Sequence, residues 1–324
     1  MINKLKYINT LIVLSTTLIF TGCTIKQQDS IFDRAINMAR DSVGLEVKTA
    51  TANDVNLTYM ERNGSNADSE TIILVHGFSA NKDSWIRFTK ALDEKYRVIA
   101  IDLAGHGDSD KSLATNYDLI EQTKRLDAFF VGLDINSFHI VGNSMGGAIS
   151  LLYSLTHPNK IKSLTLMDAA GIDGDTQSEY FKILETGKNP LIATDQESFE
   201  YRMNFTMSQP PYLPWPLKPA FVRKHLAREE INSKIFQDMV ATKERLKAED
   251  FDAKIKTIMA KNKLPTLIMW GEEDRVLHVS AAAAFKKLIP NADVHIFKDV
   301  GHLPMLEVPS ESAEVLQDFI SKTQ

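Results

Sequence analysis

Apolar residues in this chain keep two rhythms that take turns. Segments at Thr71–Val75, Arg97–Asp102, Ser137–Val141, Ile161–Asp168, Thr266–Trp270 and Asp293–Phe297 read as strands, Thr71–Val75 and Ser137–Val141 as buried ones. Between them, Ser84–Leu92, Tyr117–Gly132 and a helix opening at Ala148–Leu155 keep helical spacing, and Ser310–Lys322 closes the chain as a helix. Strand and helix in alternation predict an α/β fold: a mostly parallel sheet with helices on both faces. Ahead of the alternation, Leu45–Thr49 and Val55–Glu61 read as an antiparallel pair turning near Asn53-Asp54. Asn63–Ser69 reads as a polar loop.

The rhythm breaks after the sixth strand. From 171 to 263 no strand pattern is visible, and helical periods at Gln196–Met207 and Glu229–Ala248 flank a stiff loop, Pro210-Pro211-Tyr212-Leu213-Pro214-Trp215-Pro216. A helical insertion of this kind predicts a cap at 171–263 over a core made of 45–170 and 264–324. Met203, Phe205, Met207, Tyr212, Trp215 and Phe221 concentrate there, which favours a cap that faces something apolar.

The N-terminus follows other rules. Lys4 and Lys6 precede an apolar run, Leu11–Leu14 and Leu18–Phe20, of signal-peptide size and too short for an ordinary membrane span. It ends in Phe20-Thr21-Gly22-Cys23, which resembles the lipobox of bacterial lipoproteins, with Phe20 where Leu is usual. That resemblance implies a signal peptide at 1–22 and a lipidated Cys23 as membrane anchor. Thr24 rather than Asp after the cysteine implies the outer membrane. Residues 23–44 then read as a tether with one short helix, Ile31–Arg40, whose Ile31, Ala35, Met38 and Ala39 form an apolar side. Cys23 is the single cysteine, so no disulfide framework exists. With 324 residues, 44% hydrophobic, and a net charge of -5, the chain can bury a large core and offers no basic surface to nucleic acid.

The chemistry centres on Gly142-Asn143-Ser144-Met145-Gly146-Gly147, a G-x-S-x-G between a strand and a helix. A sharp turn there would lift the Ser144 hydroxyl off the sheet and set it at a helix N-terminus, which favours negative charge. A serine hydroxyl needs a base, and the base an orienting acid. His302, in Gly301-His302 after the last strand, is the candidate base. Asp274, in Trp270-Gly271-Glu272-Glu273-Asp274, is the candidate acid, with Asp168 at the end of the preceding strand as its rival. All would meet at the carboxyl edge of the sheet, where open α/β sheets place their sites. The oxyanion donors expected are the backbone N–H groups of Met145 and of Phe78, in His76-Gly77-Phe78-Ser79. His76 and His106 read as structural. The histidines are scattered with no metal-ligand spacing, so neither metal nor cofactor is expected.

Together with Asp102-Leu103-Ala104-Gly105-His106-Gly107-Asp108-Ser109, these blocks resemble the α/β-hydrolase pattern. The first block, His76–Trp85, is similar to the bacterial lipases of lipolytic family V, of Moraxella and Psychrobacter type, and to animal monoacylglycerol lipases. The resemblance implies hydrolysis of lipid acyl esters through an acyl-enzyme, carried by Ser144, His302 and Asp274. Two alternatives stay open: a short-chain esterase, and a C–C hydrolase of the meta-cleavage-product type, which shares Gly-Asn-Ser-Met-Gly-Gly but usually has a Gly-Pro-rich loop missing here.

Overall fold

The computed structural model describes residues 23–323; the expected signal segment, 1–22, lies outside the described residues. Eight strands form one sheet: β1 (Glu46–Ala52), β2 (Val55–Arg62), β3 (Thr71–Val75), β4 (Arg97–Ile101), β5 (Phe138–Asn143), β6 (Ile161–Met167), β7 (Thr266–Gly271) and β8 (Asp293–Phe297). Their order across the sheet is β1-β2-β4-β3-β5-β6-β7-β8. β1 and β2 pair antiparallel, as does β2 with β4, and every other pair is parallel. The carboxyl ends of β3 and of β5 to β8 therefore share one edge.

The alternation of side chains along each strand divides the core in two. Ile73, Val75, Ile140, Leu164, Leu166, Ile268 and Trp270 face one side, packed with α3 (Leu119–Gly132), α4 (Met145–Thr156) and α10 (Ser280–Leu288). Ile72, Leu74, Val141, Met167, Leu267 and Met269 face the other, against α2 (Ile86–Ala91) and α12 (Pro309–Lys322). Burying each such side chain contributes about 1.5–3 kcal/mol. Covering both faces explains why Thr71–Val75 and Ser137–Val141 read as buried strands.

Five helices stand between β6 and β7: α5 (Glu179–Leu184), α6 (Gln196–Thr206), α7 (Leu217–Leu226), α8 (Glu229–Ala248) and α9 (Phe251–Asn262). The sequence rhythm reveals only α6 and α8. α7 hides because Pro219 sits in its first turn, where a helix has no use for the missing N–H. The apolar residues of this region split. Phe205 and Met207 are buried, whereas Tyr212 is 87% exposed and Trp215 41% exposed.

The first helix, α1 (Ile25–Asp41), is longer than its apolar periodicity suggests. Thr24 and Gln27 form a reciprocal capping box, Gln27 N donating to Thr24 Oγ1 at 3.3 Å and Thr24 N to Gln27 Oε1 at 2.8 Å, and this starts the helix a turn and a half early. α1 docks on α7: Phe32 stacks on Phe221 with centroids 5.7 Å apart, and Arg223 donates to Asp29. At its other end Arg40 grips Asp83 through two bonds of 2.7 Å.

Candidate active site

Ser144 stands between β5 and α4 with φ 54° and ψ −120°, a conformation that costs a non-glycine residue energy and is kept only where its surroundings enforce it. Here close packing enforces it. A Cβ on Gly142 would lie 2.3 Å from the Gly146 carbonyl oxygen, and one on Gly146 would lie 2.3 Å from that of Val75. The elbow glycines are thus required by contact; the positive φ falls on the serine itself. Ser144 N donates to Met167 O at 3.0 Å, and Ser144 O accepts from Ala170 N at 2.9 Å, which ties the turn to β6.

His302 follows β8. Its Nδ1 bonds Asp274 Oδ2 at 2.8 Å. The carboxylate partner sets the ring proton on Nδ1 and leaves Nε2 to accept one. Asp274 follows β7, and its other oxygen accepts from Val276 N at 2.8 Å and Leu277 N at 2.9 Å. Asn143, the residue before Ser144, donates through Nδ2 to His302 O at 3.2 Å. The strand carrying the serine is therefore tied directly to the loop carrying the histidine. Glu307 adds a second tie. One oxygen accepts from Gly301 N at 3.0 Å, and the other from Ser208 N at 2.8 Å and Gln209 N at 3.0 Å. His302 N also donates to Thr206 O at 2.9 Å, so the histidine loop is held from the end of α6. Sequence reading gives Asn143 and Glu307 no role; Asn143 lies inside the elbow motif, and Glu307 leaves no signal at all.

The loop after β3 runs against the serine. A Cβ on Gly77 would lie 3.0 Å from Ser144 Cβ, so the backbone leading to Phe78 passes beside it. Met145 is the first residue of α4, and the helix ladder makes no use of its N–H. His76 and His106 are buried behind this loop with ring centroids 4.9 Å apart. His76 Nδ1 bonds Gly77 O at 2.7 Å and its Nε2 accepts from Leu103 N at 3.1 Å, an arrangement for a neutral ring. Burial lowers its pKa to about 4 and drives that of His106 well below the usual histidine range. Lys82, also buried, binds Asp102 at 2.8 Å and Asp108 at 2.6 Å and fastens the β3 loop to the β4 loop.

Asp168, the rival acid, sits beside the pair rather than in it. A carboxylate oxygen of Asp168, one of Asp274 and a ring nitrogen of His302 all lie within 4.8 Å of one another. Asp168 Oδ1 accepts from Gly271 N at 2.9 Å, while His302 bonds Asp274. Burial, and then the Asp274 charge, raise the Asp168 carboxyl well above the usual carboxylate range.

Among the described residues two groups come close enough together to hold a cation. One is Asp168, Asp274 and His302, already joined by the His302–Asp274 bond; the other, Glu272, Glu273 and Asp299, is fully exposed. Ser144 is 8% exposed and His302 4% exposed. A surface hollow of about 580 Å³, lined by Phe205, Met207, Gln209, Glu273, Arg275 and Asp299 and by neither Ser144 nor His302, lies between the end of α6 and the acid loop. This arrangement brings a serine in a strained turn, a histidine–aspartate pair and the loop after β3 to one edge of the sheet.

A model of the alpha/beta hydrolase fold matches residues 70–309. Lipase 1 of Psychrobacter immobilis is 34% identical over 290 residues, 89% of this chain and 88% of its own length. Lipase 3 of Moraxella sp. (strain TA144) is 33% identical over 309 residues, 94% of each chain. Among solved structures, a membrane phospholipase A described as a bacterial virulence factor superposes with a TM-score of 0.84 at 32% identity, over 100% of this chain and 99% of its own. The chain belongs to the α/β-hydrolase fold family.

Proposed function

We propose that this protein is a serine ester hydrolase of lipids, cleaving acyl esters of the tri- or monoacylglycerol kind with Ser144 as nucleophile, His302 as base and Asp274 as orienting acid. The observation that carries the reading is the His302–Asp274 bond of 2.8 Å on the loops beside a serine held at φ 54°. His302 Nε2 takes the hydroxyl proton as Ser144 Oγ attacks the ester carbon. Asp274 keeps the ring oriented and stabilises its charged form. The N–H groups of Phe78 and Met145 hold the oxyanion, each contributing about 3–4 kcal/mol to the barrier. His302 returns the proton to the departing alcohol, and water then repeats the sequence on the acyl-enzyme.

The lipase relatives support the lipid side of the reading. Residues 171–263 act as the cap over Ser144. The likeness to a membrane phospholipase supports a membrane location. The attachment we propose is a lipidated Cys23, exposed once a signal peptide at 1–22 is removed, with the outer membrane as destination. Residues 23–44 then form a helical tether docked on α7.

A chain-length series of p-nitrophenyl esters, run beside emulsified triacylglycerol and monoacylglycerol with Ser144→Ala as control, tests this. Long-chain and emulsified esters are hydrolysed and the variant is inactive. Activity confined to short soluble esters would leave an esterase and remove the lipase.

A further inference from the structure

Two half-buried arginines of the insertion hold the loops around the proposed oxyanion site, and one of them, Arg202, makes no ion pair among the described residues. Arg202, on α6, donates from Nη2 to Ser79 O at 3.2 Å, one residue beyond Phe78. Arg228, between α7 and α8, donates to Gly105 O in the loop after β4. Asn232 Nδ2 donates to Ser79 Oγ at 3.0 Å, so these cap residues converge on one spot at the carboxyl edge of the sheet. Arg202 Nε is shut off from solvent and has no hydrogen-bond partner.

The electrostatics around Arg202 are one-sided. Burial, and then repulsion by Arg228, lower its pKa to about 10, and no carboxylate offsets them. It still carries its charge at neutral pH. His225, close by on α7, is pushed down to about 3 by burial and by the Arg202 charge, and so stays neutral. Arg228 differs, because the Asp102 and Asp108 carboxylates partly offset the effect of burial on it, while the rings of His76 and His106 near it are neutral. A largely desolvated cation left without a counter-charge is unfavourable. Proteins keep such a group where an anion arrives to meet it, and guanidinium forks match phosphate and carboxylate oxygens.

We propose that Arg202, with Arg228 beside it, forms a subsite for an anionic oxygen group carried by the lipid: the phosphodiester of a glycerophospholipid, or the carboxylate of the released fatty acid. This rests on the ester-hydrolase reading, since it places the anion next to the loop that meets the scissile carbonyl. A phosphodiester there orients a phospholipid substrate. A carboxylate there retains the product and inhibits the enzyme.

The test compares the full-length wild type with Arg202→Gln and Arg202→Lys on two substrates of equal acyl length, a lysophospholipid and an uncharged monoacylglycerol. In Arg202→Gln the ratio of kcat/KM values, lysophospholipid over monoacylglycerol, falls at least tenfold, whatever loss the two substrates share through the Ser79 contact. Arg202→Lys recovers part of it. Thermal unfolding of the wild type with hexyl phosphate, hexanoate and hexanol needs no variant to fold. Stabilisation by hexyl phosphate identifies the headgroup source, and stabilisation by hexanoate alone the product source. An unchanged ratio, with neither anion exceeding hexanol, would overturn the subsite and leave Arg202 a holder of the Ser79 loop. Failure of the wild type to cleave monoacylglycerol would strike the ester reading instead, and the unfolding experiment would still decide the subsite.

Discussion

At the scale of residues, the account separates two buried aspartates that sequence position alone leaves as rivals. Both end strands of the parallel sheet, and both reach the neighbourhood of His302. Only Asp274 bonds the imidazole and receives two backbone N–H groups. Asp274→Asn is therefore expected to lower kcat by about 10⁴-fold, because the amide disturbs the tautomer the base needs. Asp168→Asn should retain most activity, since Asp168 accepts from Gly271 N rather than bonding the imidazole, and an amide oxygen can keep that bond. The same substitution has a pH signature. Asp168 is raised in the folded protein, so its stabilising contribution is complete below the unfolded carboxylate pKa and is lost as pH rises through the folded value. Denaturant unfolding of Asp168→Asn should show less loss of stability with rising pH than wild type; an unchanged pH slope would mean that Asp168 is ionised in the fold. The strand-end placement of Ser144, His302 and Asp274 is legible because each follows a strand in a short glycine-containing motif. Asn143, Glu307 and Arg202 are not, because what matters in them is a contact across at least 98 residues of chain, as between Glu307 and Gln209.

At the scale of elements, parallel strands announce themselves, and β3 and β8 match their expected spans residue for residue, although β8, at the sheet edge, buries only Phe297. Helix ends are set by caps and neighbours instead. α1 gains six residues from the Thr24–Gln27 box, and α3 starts at Leu119 rather than Tyr117 because Asp118 caps it. Helices α5, α7 and α9, inserted between β6 and β7, leave no clear periodicity, since residues there contact the core, α1 and solvent on different sides. The elbow itself can be probed through its packing. Gly146→Ala puts a methyl 2.3 Å from a backbone oxygen that cannot rotate away, and should destabilise the protein by about 1–3 kcal/mol. It should also lower activity, because the strained turn relaxes. Thermal unfolding and ester hydrolysis on the same sample check this; wild-type values for both would show that the elbow has slack.

At the scale of the whole molecule, the sheet sets every candidate group on one edge, and helices α5 to α9 supply contacts that hold them there. Thr206, Ser208 and Gln209 hold the histidine loop, while Arg202 and Asn232 hold the oxyanion loop. Insertion and core are thus hydrogen-bonded together along this edge. Among the described residues no helix is long and apolar enough to cross a membrane. If a lipid on Cys23 provides the attachment, Cys23→Ser should move the protein from the membrane fraction to the soluble fraction, with ester hydrolysis per molecule retained. Persistence of Cys23→Ser in the membrane fraction would place the attachment elsewhere in the chain.

The central claim is that Ser144 is made reactive by His302. Labelling with a fluorophosphonate probe, followed by peptide mapping, tests it most directly. Wild type should carry a single label on Ser144, and His302→Ala should lose that label while its unfolding curve stays cooperative. A label on another residue, or full labelling of Ser144 without His302, would contradict the account.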